Sequence, residues 1–132
     1  MSEPMGIIGL GTDIVDVARL TRLIERGGPR FLERWFRASE LEIRPGGSEA
    51  LHVAALLATK EATVKALRVS ANGPVPWRDI EVTLQPGLSL HGRLRALAAE
   101  RGACAFRVSM AQTPDHAMAT VVALSKADQA RL

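Results

Sequence analysis

The chain has 132 residues, 47% of them hydrophobic and 23% charged, with a formal charge of +3 and one cysteine, Cys104. This length fits one domain spanning residues 1–132 that buries a core without staples, and the apolar content excludes a disordered chain. One cysteine excludes an internal disulfide and favours a reducing compartment; with 4% aromatics and no tyrosine, the mild positive charge suits an acidic protein or a polyphosphate cofactor better than nucleic acid.

The first residues, Met1-Ser2-Glu3-Pro4-Met5, carry no basic run, and Asp13 and Asp16 interrupt the apolar stretch that follows. Neither a signal peptide nor a membrane span is expected, and a cytoplasmic location is. Residues 6–13 read as a short buried strand ending in an acid, its glycines marking close approach of other backbone. Asp16 is placed to cap a helix whose apolar stripe is Val17, Leu20, Leu23 and Ile24, and which Gly27-Gly28-Pro29 should stop. Residues 30–41 read as partly helical, with a new turn from Ser39, and residues 44–48 as a loop.

The strongest helix covers residues 49–69, without an internal glycine or proline, and Asn72-Gly73-Pro74 should end it. Residues 79–84 alternate with period two, as a half-buried strand does. A turn at residues 85–87, a strand near 89–92, a helix through Leu94, Leu97 and Ala98, and strands over 105–110 and 118–124 complete the pattern. Cys104 lies in an apolar run and reads as a buried core residue. The fold class is α+β: an antiparallel sheet with a long central helix packed on it.

Two acids stand out by position. Asp13 closes an apolar strand, and Glu61 sits in the middle of the long helix. A buried carboxylate needs a partner, and Mg²⁺ takes one or two protein carboxylates while water and phosphate oxygens complete its octahedron. The alternatives are a helix-capping or turn acid for Asp13 and an i,i+4 ion pair with Lys65 for Glu61. Lys60 and Lys65 flank Glu61, where a lysine can hold a diphosphate oxygen or simply face solvent. Arg19, Arg22 and Arg26 recur at helical spacing with Leu23 between them. They form either a solvated face or a docking ridge for an acidic helix. His52, His91 and His116 lack metal-ligand spacing, and Ser109 has no partner base, so a hydrolase triad is unsupported.

The segment from Gly11-Thr12-Asp13 through Ala18-Arg19, then Ser39-Glu40-Leu41, and above all Ala58-Thr59-Lys60-Glu61-Ala62-Thr63-Val64-Lys65-Ala66-Leu67, resemble the ordered motifs of the acyl-carrier-protein synthase family of 4′-phosphopantetheinyl transferases. Trp77-Arg78-Asp79, Val108-Ser109-Met110 and the last strand continue the likeness. The resemblance implies transfer of 4′-phosphopantetheine from coenzyme A to a serine of an acyl carrier protein, with Mg²⁺ and release of adenosine 3′,5′-bisphosphate. It implies Asp13 and Glu61 as metal acids and Lys65 as a catalytic partner. Lys60, Lys65, Arg68, Ser109 and Gln112 fall at its coenzyme A positions. Arg19, Leu23 and Arg26 would face the carrier protein, and the assembly would be a homotrimer. The chain departs from the pattern at Leu56 and Leu57, where the family has arginine or tryptophan and then an aromatic, at Arg68, where it has glycine, and at Gln112, where it has histidine. Those departures predict weaker coenzyme A binding, and in the extreme a binding or structural protein that keeps the fold without the reaction.

Overall fold

The computed structural model describes residues 6–42, 49–70, 72–83 and 86–125. Strand β1 (Ile7–Asp16) leads directly into helix α1 (Val17–Trp35), and after a 3₁₀ turn (Ala38–Leu41) comes the long helix α2 (Glu49–Leu67). A second 3₁₀ turn (Trp77–Asp79) precedes the hairpin of β2 (Ile80–Thr83) and β3 (Gly87–Leu90). Helix α3 (Gly92–Glu100) and the hairpin of β4 (Ala103–Gln112) and β5 (His116–Ser125) follow. The main sheet is antiparallel in the order β1-β5-β4, and β2-β3 form a separate two-stranded ribbon.

Helix α2 is the centre of the molecule. Val53, Ala54, Ala58, Thr59, Ala62 and Thr63 are fully buried along it, against Ala117, Ala119, Val121 and Ala123 of β5. A helix buried on most sides must satisfy its own polar groups. Thr59 Oγ1 donates to Ala55 O at 2.9 Å and Thr63 Oγ1 to Thr59 O at 2.7 Å, the back-bonding that lets threonine sit inside an apolar core. The helix lies almost on the backbone of β1. A Cβ on Gly11 would stand 1.9 Å from Ala62 O, and one on Gly9 1.9 Å from Ala66 O, so only glycine permits this spacing. Those glycines set how near α2 comes to Asp13.

Several boundaries differ from the sequence reading for identifiable reasons. Asp16 does cap α1, its Oδ1 accepting from Arg19 N at 3.2 Å, but the strand before it extends to Asp16 itself. Gly27-Gly28-Pro29 does break the regular helix, and a second helical segment follows it directly, as the partly helical reading of residues 30–41 expects. Gly28 alone leaves helical space (φ 59°, ψ −152°), and Pro29, tolerated at the start of a helical segment, lets α1 resume to Trp35 after a kink. Strands β4 and β5 are longer than expected because they pair along nearly their whole length. The expected loop at 44–48, and residues 84 and 85, lie outside the described residues. Cys104 is exposed, not buried: the register shift between Ala103 and Ala105 turns it outward, with Sγ 3.7 Å from Leu124 O.

Lys60 also departs from expectation. Its ammonium is fully buried and lies 2.9 Å from Glu40 Oε1, 2.8 Å from Trp35 O, 3.0 Å from Trp77 O and 2.6 Å from Ile80 O. Three N–H donors are thereby shared among four oxygens. Glu40 in turn accepts from Arg37 N at 2.8 Å and Val82 N at 2.9 Å. Burial lowers the Lys60 pKa, and the Glu40 carboxylate opposes that shift. The pair ties α2 to the end of α1, to both 3₁₀ turns and to β2. Lys60 has no donor left for a phosphate.

Candidate active site

Odd-numbered residues of β1 from Gly9 onward face α2, which follows from the period-two alternation of a strand and from the glycine contacts. Asp13 therefore points at the helix, its side chain 15% exposed. Glu61 and Lys65, one turn apart on α2, meet it there. Lys65 Nζ donates to Asp13 Oδ1 and to Thr12 O, both at 2.9 Å. The i,i+4 pair between Glu61 and Lys65 is thus displaced by a longer-range one: the ammonium bridges helix to strand and stays 55% exposed at its open side.

The electrostatics of the acids are unbalanced. Burial first, and the adjacent Asp13 carboxyl second, push the Glu61 pKa up to about 8. Asp13 Oδ2 is buried and finds no donor. Two facing carboxyl groups with one orphaned oxygen are relieved either by a proton on Glu61 or by a cation besides Lys65. Among the described residues no cluster of three or more His, Cys, Asp or Glu forms a complete metal cage. Two carboxylates opening to solvent instead match the half-finished shell that Mg²⁺ completes with water and phosphate oxygens. The donor set fits that ion.

Beside Glu61 lies a hollow of about 130 Å³ whose walls include Leu20, Leu23, Leu57, Arg19 and Asp16. The sequence shows Leu20 as part of the apolar stripe of α1 and Leu57 as one of the departures from the family pattern; only the crossing of α1 over α2 shows that both flank the acid. Arg19, Arg22 and Arg26 are all exposed on α1 with Leu23 half-buried between them, so the expected ridge is present.

Other expected positions fall elsewhere. Ser109 pairs with Thr120, which pairs with Thr12, on the face of the sheet away from α2. Gln112 pairs with Ala117, two strands across from β1, and lines a separate hollow of about 230 Å³ with Ile14, Thr113, His116 and Met118. Within one chain neither residue joins the acids. Leu56 is 2% exposed and lies in the core. Arg68 is exposed just beyond the end of α2 and stands at φ 54°.

The chain as a whole has counterparts among known proteins. A family model, the 4′-phosphopantetheinyl transferase superfamily, matches residues 9–121. The chain belongs to that superfamily. It is 39% identical over 121 residues to a holo-[acyl-carrier-protein] synthase from Halorhodospira halophila, covering 88% of this chain and 96% of that one. The crystal structure of holo-[acyl-carrier-protein] synthase from Neisseria meningitidis superposes with a TM-score of 0.77 at 32% identity, covering 89% of this chain and 98% of that one. The Helicobacter pylori synthase, determined in complex with coenzyme A, superposes with a TM-score of 0.72 at 26% identity, covering 86% and 98% of the two chains. The fold is therefore the α+β architecture of these synthases.

Proposed function

We propose that this chain transfers 4′-phosphopantetheine from coenzyme A to a serine of an acyl carrier protein, releasing adenosine 3′,5′-bisphosphate. The observation that carries the reading is the meeting of Asp13, Glu61 and Lys65 across β1 and α2 in a member of this transferase superfamily. Asp13 and Glu61 would hold Mg²⁺, which supplies neutralisation of the charge on the diphosphate and on its leaving oxygen. Lys65 is held by two oxygens and keeps its outer side open to solvent, so its third N–H is available to a diphosphate oxygen. Preorganisation of that kind acts on charge as it develops during attack by the serine oxygen on the β-phosphorus. The serine proton would pass to a water held at the carboxylate pair, or through such a water to Glu61.

The carrier protein is read to dock on α1. Its acidic helix would meet Arg19, Arg22 and Arg26, with Leu23 as an apolar anchor next to the hollow at Glu61. A homotrimer is supported by the sheet face turned away from α2, where Leu10 is 63%, Ile14 61% and Met118 42% exposed. Among the described residues no helix is long and apolar enough to cross a membrane, and a cytoplasmic setting, where coenzyme A and carrier protein would meet, is part of the same proposal. Asp13→Asn and Glu61→Gln test the core of the reading. Each should lower turnover on the order of 10²-fold or more while the circular dichroism spectrum is kept. Near-wild-type turnover of either variant at limiting Mg²⁺ would remove the assignment.

A further inference from the structure

The exit from α2 is built in an unfavourable way. Arg68 N–H donates to Lys65 O and Val69 N–H donates to Val64 O, both at 3.1 Å, the paired bonds that close a helix whose following residue is left-handed. That residue is ordinarily glycine, which alone takes a positive φ without a steric penalty. Here it is Arg68, at φ 54° the one non-glycine residue with a positive φ among those described. The turn itself does not require arginine. The guanidinium is exposed and, among the described residues, makes one long contact, Nη2 to Ile8 O at 3.5 Å.

Its position supplies the reason. Lys65 reaches Thr12 O and Arg68 reaches Ile8 O, so two cations lie in sequence against the main chain of β1, an edge strand of the sheet. Glu61 and Arg68 are seven residues apart on the helix, about 10 Å of rise. A diphosphate held at Asp13, Glu61 and Lys65 therefore has a second cation roughly one ribose further along. Coenzyme A carries a phosphate there, on the 3′ oxygen of its ribose. A planar guanidinium is suited to such a group because it donates two parallel N–H bonds to phosphate oxygens.

We infer that Arg68 anchors the ribose 3′-phosphate of coenzyme A, and that the strained helix end is kept because it makes this chain select coenzyme A over its 3′-dephospho form. The inference rests on the proposed function. Its test compares the dissociation constants of coenzyme A and 3′-dephospho-coenzyme A, measured by titration calorimetry with Mg²⁺, for the wild type, Arg68→Gly and Arg68→Asn. Glycine and asparagine both tolerate the left-handed position, so neither variant should lose the fold, and Arg68→Gly should melt at a higher temperature than the wild type. Both should bind coenzyme A roughly tenfold or more weakly and the dephospho form unchanged, so that the preference collapses. A wild-type protein that binds coenzyme A, with a preference that Arg68→Gly leaves intact, would overturn this inference alone. A wild-type protein that binds neither nucleotide would overturn the proposed function together with it.

Discussion

The most informative single perturbation is Lys60→Met, because it separates a lysine that holds the fold from a lysine that holds the cofactor. Methionine roughly fills the volume of the lysine stem and removes the ammonium. Glu40, 4% exposed, then keeps only the N–H groups of Arg37 and Val82, and the carbonyls of Trp35, Trp77 and Ile80 each lose a donor. Breaking one partner of a buried pair costs about 3–5 kcal/mol, and each carbonyl left without its donor adds to that. The expected loss is thus at least about 4 kcal/mol against a total stability of about 5–15 kcal/mol, or at least about 15 °C in melting temperature for a chain of this size. Urea unfolding followed by circular dichroism, at one fixed protein concentration, reads the change directly. Lys60→Met combined with Glu40→Gln should recover part of the loss, since the neutral amide no longer strands a charge. A loss below about 1 kcal/mol in the single variant, with a large drop in coenzyme A affinity, would show that Lys60 serves the cofactor after all.

Stability in Mg²⁺-free buffer should fall as pH rises from about 5 to about 8. Glu61 keeps a proton up to about 8 in the folded chain but only to about 4.5 when unfolded, so the folded state binds more protons across that window and its advantage is lost as pH climbs through the upper value. Thermal melts across this range should show the slope, and saturating Mg²⁺ should flatten it; a slope of the opposite sign would mean that Glu61 is not held protonated. Arg26→Glu should raise the KM for carrier protein and leave that for coenzyme A nearly unchanged, and the wild-type carrier KM should climb with salt. Indifference of both values would leave α1 without a docking role. Light scattering at micromolar concentration should give three times the monomer mass, and Ile14→Lys, which charges a residue 61% exposed on the outer sheet face, should lower it; a monomeric wild type would refute the assembly.

The local grammar of the chain was largely readable. Period-two alternation located β2, the unbroken apolar run located α2, and Asp16 announced the cap of α1. Gly9 and Gly11 read as points of close backbone approach, and Ala62 and Ala66 do approach them. What periodicity could not supply was partnership between distant segments. Lys60 and Lys65 look alike in sequence, yet a rotation of five residues sends one into the core toward Glu40 and the other across to Asp13. The same blindness left Leu56 and Leu57 alike, as two departures from the family pattern, although Leu56 lies in the core and Leu57 beside the acid. The break at Gly28 and the return of helix after it were both legible; that the two segments run on as one kinked helix, with Phe31 and Trp35 packed against the core, was not.

The central claim is tested most directly by incubating the purified protein with an apo acyl carrier protein, coenzyme A and Mg²⁺ and weighing the carrier by mass spectrometry. A gain of one phosphopantetheinyl group at the carrier serine is predicted, absent when that serine is alanine and nearly absent with Asp13→Asn. An unmodified carrier, in the presence of a folded protein that binds coenzyme A, would contradict the account.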